Sequence, residues 1–159
     1  MSTPVRLAVL QSIVDALRAM GPQIGCTYQV ARDEDVTLDR RNLATVFSLP
    51  AFVVEPEGGG QREFLPANRI KDRFPVVIYG RVDATGLSDS ARRLTVFEQL
   101  AADVERCLTR DITRGGLAID TRVLPPREPY IELDPVNSVY LEQPVEVVVR
   151  RIYGQPEGS

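Results

Sequence analysis

Two stretches of the chain repeat apolar residues at helical spacing, and most other apolar residues alternate at the spacing of a strand. In the first, Val5, Val9, Leu10, Ile13, Val14, Leu17 and Met20 form one stripe at i, i+3 and i+4. Arg6, Gln11, Asp15 and Arg18 lie on the other side, and Gly21-Pro22 ends the pattern. Thr3 is placed to cap this helix and Pro4 to occupy its first turn. In the second, residues 91–109, the stripe is Leu94, Phe97, Leu100, Ala101, Val104, Cys107 and Leu108, with Ser88 or Ser90 as the cap. The charged residues Arg92, Arg93, Glu98, Asp103, Glu105, Arg106 and Arg110 read as a solvated or partner-facing surface. Helices that are apolar on one side only need a shared apolar surface, and a sheet supplies it.

Eight β-rich segments can build that sheet. Residues 26–32 (CTYQVAR), 43–47, 51–55, 74–82 (FPVVIYGRV), 117–124 (LAIDTRVL), 130–133, 138–141 and 144–153 (PVEVVVRRIY) read as strands. Residues 33–42 are charged and read as a loop or edge hairpin. Residues 56–61, with three consecutive glycines, read as a hairpin tip and not a phosphate cradle. Neither G-x-x-x-x-G-K-S/T nor G-x-G-x-x-G is present, and no helix pattern follows. Residues 68–73 (NRIKDR) read as a basic stretch in a long connection, 125–129 as a stiff connector, and 154–159 as a flexible tail. The order helix, strands, helix, strands predicts an α+β fold, a mostly antiparallel sheet with both amphipathic helices packed on one face. A length of 159 residues without an internal repeat predicts one domain over residues 1–153.

The absence of histidine narrows function most. It removes Ser-His-Asp and Cys-His catalysis, histidine-bearing zinc sites and any imidazole proton shuttle. Cys26 and Cys107 lie far apart in sequence, belong to no C-x-x-C pattern, and read as inert buried thiols. A net charge of −3 argues against wrapping nucleic acid as the main task. Arginine outnumbers lysine so far that Lys71 is the single lysine, a bias that suits charge-paired protein interfaces. Carboxylates do pair in sequence, Asp33 with Asp35 and Glu55 with Glu57, and Asp33, Asp35 and Asp39 could supply oxygen ligands. These segments read as exposed and turn-rich, without the glycine and terminal glutamate of a calcium loop. The expectation is no catalytic set, no metal and no cofactor. No run approaches the apolar length of a membrane helix, and the N-terminus lacks the plan of a signal peptide, so a soluble, non-exported domain with no membrane partner is expected.

The second half carries a combination of segments that resembles a known family. A strand ends in a turn at Val77-Ile78-Tyr79-Gly80-Arg81-Val82-Asp83, the helix over residues 94–110 follows, and then Asp111-Ile112-Thr113-Arg114-Gly115-Gly116-Leu117-Ala118-Ile119-Asp120. A final strand, Pro144-Val145-Glu146-Val147-Val148-Val149-Arg150-Arg151, closes the pattern. With the opening helix rhythm from Arg6 to Leu17 and the strand entry Leu49-Pro50-Ala51-Phe52-Val53-Val54, the chain resembles the tail-terminator (tail-completion, minor tail) proteins of long-tailed bacteriophages over residues 5–153. The resemblance implies a virion protein of the tail–neck junction, assembled in the host cytoplasm. Its partners would be further copies of itself in a hexameric ring, the tail tube protein below, and a head-completion or connector protein above. DNA would only pass through the lumen. The alternating signs of Glu55, Glu57, Arg62, Glu63, Arg69, Lys71, Asp72 and Arg73 mark these residues as the expected contacts with neighbouring subunits or the tube. Two other readings stand beside it. One is a head-tail adaptor or tube subunit. The other is a small ligand-binding domain or enzyme using carboxylates with Tyr79, Tyr130 or Tyr140.

Overall fold

Two 15-residue strands form the spine of a six-stranded sheet: β4 (Arg69–Asp83) and β6 (Ser138–Ile152) pair antiparallel along their whole length. The structure, a computed structural model, describes residues 3–38, 50–83, 90–127 and 138–157. On the other edge of β4, β2 (Ala51–Pro56) pairs with residues 76–81 and β3 (Gln61–Leu65) with residues 69–73, both antiparallel. The two-residue strand β1 (Val36–Thr37) adds parallel to β2, and β5 (Asp120–Val123) adds antiparallel to β6. The expected fold class is the observed one: α+β, with a mostly antiparallel sheet.

The helices α1 (Val5–Arg18) and α2 (Ser90–Thr109) share one core with one sheet face. Val9, Ile13 and Leu17 of α1 and Phe97, Leu100, Val104 and Leu108 of α2 are buried with Phe52 and Val54 of β2. Phe74, Val76 and Ile78 of β4 and Leu141, Val145, Val147 and Val149 of β6 complete the layer. These strand positions alternate, as a pleated strand with one apolar face requires. The helical stripes were therefore sufficient to place both helices.

Several segments differ from expectation, each for a local reason. Residues 26–32 are not a strand, because the Asp103 carboxylate of α2 accepts the amides of Thr27 (3.0 Å) and Tyr28 (2.7 Å), taking donors a ladder would need. Asp103 and Arg93 are thus buried, not solvated; Arg93 donates to the Ser138 carbonyl at 2.7 Å. Residues 68–73 are not a connection but the turn end and first third of β4. The three-residue turn Pro66-Ala67-Asn68, with positive φ at Ala67 and Asn68, folds β3 back onto it.

The triple glycine is not a hairpin tip either. It lies in the jog where β2 leaves β4 and β3 takes over the same edge. Gly60, at φ +105°, passes so near β4 that a β-carbon would lie 2.7 Å from the Arg73 carbonyl. Opposite the jog, the Pro75 carbonyl accepts from the Glu57 amide at 2.9 Å, so its nitrogen faces the gap and no ladder donor is lost. Pro144 sits inside β6 by the same means, joining two segments expected to be separate. Its carbonyl accepts from the Leu124 amide at 3.1 Å, turning its nitrogen to the side where β5 has already ended.

Three smaller expectations change. Strand β5 begins only at Asp120 instead of residue 117. Thr3 does not cap α1; the Val5 amide donates instead to the Pro156 carbonyl at 2.8 Å, so the C-terminal segment is fastened to the helix start. Residues 33–42 begin with a 3-10 turn at Asp33–Asp35, and the Arg18 guanidinium ties it down by donating to the Asp33 and Val36 carbonyls. The expected strands at 43–47 and 130–133, with Ser88, Asp39 and Tyr130, lie outside the described residues.

Candidate interaction surface

Beyond the jog at residues 57–60, β3, the first third of β4 and the end of β6 form a three-stranded ribbon. β3 is an edge strand, exposed from Gln61 to Phe64. Six of the eight residues expected at an interface converge here because the turn at Ala67-Asn68 sets residues 61–65 against 69–73. Alternation then divides them between the two faces of the ribbon.

On the face continuous with the core, Arg62 clamps Asp72 with two bonds, Nε to Oδ1 at 2.6 Å and Nη2 to Oδ2 at 2.9 Å. Arg151 of β6 lies 3.6 Å from the same Oδ2. The clamp raises the Arg62 guanidinium further above its ordinary range, through the Asp72 hydrogen bond first and its charge second. Asp72 is buried, so this pair holds three strands in register and its charges are spent within the chain. Further out, Phe64 and Tyr153 stack edge to face, 5.6 Å between centroids, and remain 69% and 50% exposed. At the inner end Arg6 of α1 lies 5.0 Å over the Phe74 ring.

The opposite face is basic. Arg69, Lys71 and Arg73 succeed one another at alternate positions of β4, and Arg150 of β6 stands opposite Lys71. Glu63 of β3 is the flanking carboxylate, also opposite Lys71. None of these four cations has an ion-pair partner among the described residues. Against a chain of net charge −3, this concentration of cations is a strong local field.

Glu55 and Glu57 stand at the root of the ribbon and apart from it. Glu55 lies opposite Val77, and Glu57 bonds Arg127 at 2.6 Å, whose other nitrogen meets Glu142 at 3.0 Å. This bridge spans the sheet from β2 to β6 on the face away from the helices. Sequence spacing could not show it.

The carboxylate pairs do not converge on a cleft. Asp35 is buried against Arg32 at 3.0 Å, while Asp33 and Glu34 face outward. Among the described residues, no group of three or more Cys, Asp or Glu side chains is placed to hold a metal ion. Tyr140 lies under Arg81, 5.8 Å from its ring centroid, and Tyr79 is half-buried on the same face. No helix is long and apolar enough to cross a membrane among the described residues.

The opposite end of the sheet carries a second surface. A groove between α2 and the chain leaving β5 is lined by Glu98, Ala101, Ala102, Glu105, Val123, Leu124, Pro125, Pro126 and Gln143. Among the described residues that line it, the charged ones are the two glutamates. No protein-family model matches the chain, and no curated protein matches it in sequence.

Proposed function

We propose that the protein is a structural subunit that closes into a ring on the end of a phage-type tail tube, stopping its growth and joining it to a head-completion or connector protein. The observation that carries this reading is the ribbon: the exposed aromatics Phe64 and Tyr153 on one face and, on the other, four cations of β4 and β6 with no ion-pair partner among the described residues. A closed ring of identical subunits needs two different, complementary surfaces on each subunit. The basic face of the ribbon, carried by β4 and β6, and the glutamate-rimmed groove between α2 and the chain leaving β5 are separate surfaces and bear opposite charge. That pairing supports head-to-tail contact between neighbours. Arginine-rich contacts also fix register, which a ring seated on a tube requires. DNA passes through the lumen in this reading and is not gripped.

Charge reversal tests it. The triple variant Arg69→Glu, Lys71→Glu, Arg73→Glu alters outward side chains on the ribbon, so the monomer keeps its fold by circular dichroism. It should neither assemble nor cap tail tubes, and Glu98→Arg with Glu105→Arg should restore part of the contact when the two variants are mixed. A triple variant that still assembles and caps tubes as the parent does would refute the assignment.

A further inference from the structure

We propose that Cys26 and Cys107 are a reversible disulfide site, a covalent modification that pins the segment between α1 and β1 to α2. The two sulfurs lie 3.9 Å apart, and both residues are buried, although 81 positions separate them. Their approach is built into the fold. Asp103, one helical turn before Cys107, accepts the amides of Thr27 and Tyr28, which sets residue 26 beside residue 107. Tyr28 adds a bond to Gln99 at 3.4 Å, another turn back along α2. A disulfide is about 2.05 Å long, so the sulfurs must close by roughly 1.9 Å. Side-chain rotation and a small shift of the irregular segment can supply that, since Cys26 belongs to no helix or strand. Among the described residues no third Cys, Asp or Glu side chain is grouped with the pair to hold a metal ion.

The oxidant is a low-molecular-weight disulfide, and the reaction runs in two exchanges. Cys26, on the irregular segment, loses its proton, and its thiolate attacks one sulfur of the oxidant. The oxidant's S–S bond breaks, and the expelled thiolate takes up a proton. Cys107 then loses its proton and attacks the Cys26 sulfur, expelling the second small thiol, which is protonated in turn. Two protein thiols are oxidised by two electrons and one small disulfide is reduced to two thiols. Cys26 attacks first because it sits on the irregular segment that opens, whereas Cys107 is held within α2 and burial keeps its thiol protonated. The segment must open briefly for the oxidant, so the reaction is slow in the native protein. Once formed, the bond closes a long loop and removes freedom from the unfolded chain.

The test is incubation of the full chain with oxidised glutathione, followed by intact mass and a non-reducing peptide map. The expected product has lost two hydrogens, carries no glutathione, and joins the Cys26 and Cys107 peptides. Its thermal midpoint should rise by on the order of several degrees and return on reduction. Amides of residues 26–32 should exchange more slowly in the oxidised form, and Cys26→Ser should show neither change. Thiols that stay free in the native protein while reacting in the unfolded chain would overturn the proposal. So would accumulation of the mixed disulfide alone, cross-linking between molecules, or a cross-linked protein whose midpoint does not rise. The readout on the parent chain needs no variant, and it is independent of ring assembly.

Discussion

The ring of Phe52 on β2 lies across Gly80 of β4, its direct cross-strand partner, so closely that a β-carbon at position 80 would stand 2.8 Å from it. Leu100 of α2 closes the same space from above, at 3.5 Å. The glycine is therefore the socket in which the sheet's aromatic and the second helix meet. Gly80→Ala should lower stability by about 2 kcal/mol through overpacking, read as a lower denaturant midpoint with an unchanged slope. Gly80→Val should cost more, and a neutral result for either would mean that Phe52 is free to move.

Two neighbouring glycines should behave differently. Gly60 is at positive φ with the Arg73 carbonyl 2.7 Å from any added β-carbon, whereas Gly58 has open space around it. Gly60→Ala should cost about 2 kcal/mol, and Gly58→Ala should be within a few tenths of neutral. Parallel urea denaturation of the two variants checks the pair. Equal effects would contradict the jog that sets the ribbon against β4.

Asp103 is fully buried and answers for two backbone amides of a segment without regular structure. Asp103→Ala strands both donors and should cost roughly 3 kcal/mol. Asp103→Asn keeps one acceptor oxygen and should cost less. Hydrogen exchange at Thr27 and Tyr28 should accelerate in the alanine variant ahead of the core strands, and uniform acceleration would show that Asp103 does not hold this segment locally.

What could be read from the sequence depended on whether a segment's partners were local. The stripes from Val5 to Met20 and from Leu94 to Leu108 announce both helices because helical periodicity needs no knowledge of what lies opposite. Residues 69–74 alternate, with Ile70, Asp72 and Phe74 facing the core side. But Asp72 in that series reads as a surface charge until Arg62 and Arg151 are seen around it. Pro144 reads as a strand breaker unless one knows that β5 ends beside it. The segment 26–32 has strand-like composition, and only a carboxylate on α2 settles its conformation. The charged residues of the candidate surface were visible as types. Their division into a spent pair, Arg62 with Asp72, and an outward basic face follows from the register that the Ala67-Asn68 turn imposes. The approach of Cys26 to Cys107 left no trace in spacing at all.

Stability should fall on the alkaline side. Burial first, and the neighbouring Cys26 second, push the Cys107 thiol well above its ordinary value of 9.0. Below that value both folded and unfolded chains hold the proton, and the thiol's contribution is fully present. As pH rises past it, the unfolded chain releases the proton that the native state keeps, so stability drops by at most about 1.4 kcal/mol per pH unit for this one group. Burial raises Tyr28 from 10.0 in the same direction, and the Asp103 charge adds to it. Denaturant midpoints under reducing conditions between about pH 8 and about pH 11 should show the decline, and Cys107→Ala should shallow it. An unchanged slope in that variant would assign the decline elsewhere.

Ring closure through the ribbon is self-association, and its most direct test is the mass of the purified protein by light scattering, with negative-stain images of the same sample alone and mixed with tail tubes. Closed rings of about six copies are expected, free in solution or seated on tube ends, because complementary surfaces of one subunit close on themselves only at a fixed rotation. Indefinite cylinders would identify a tube subunit instead. A strict monomer that also leaves the tube ends bare would contradict the account.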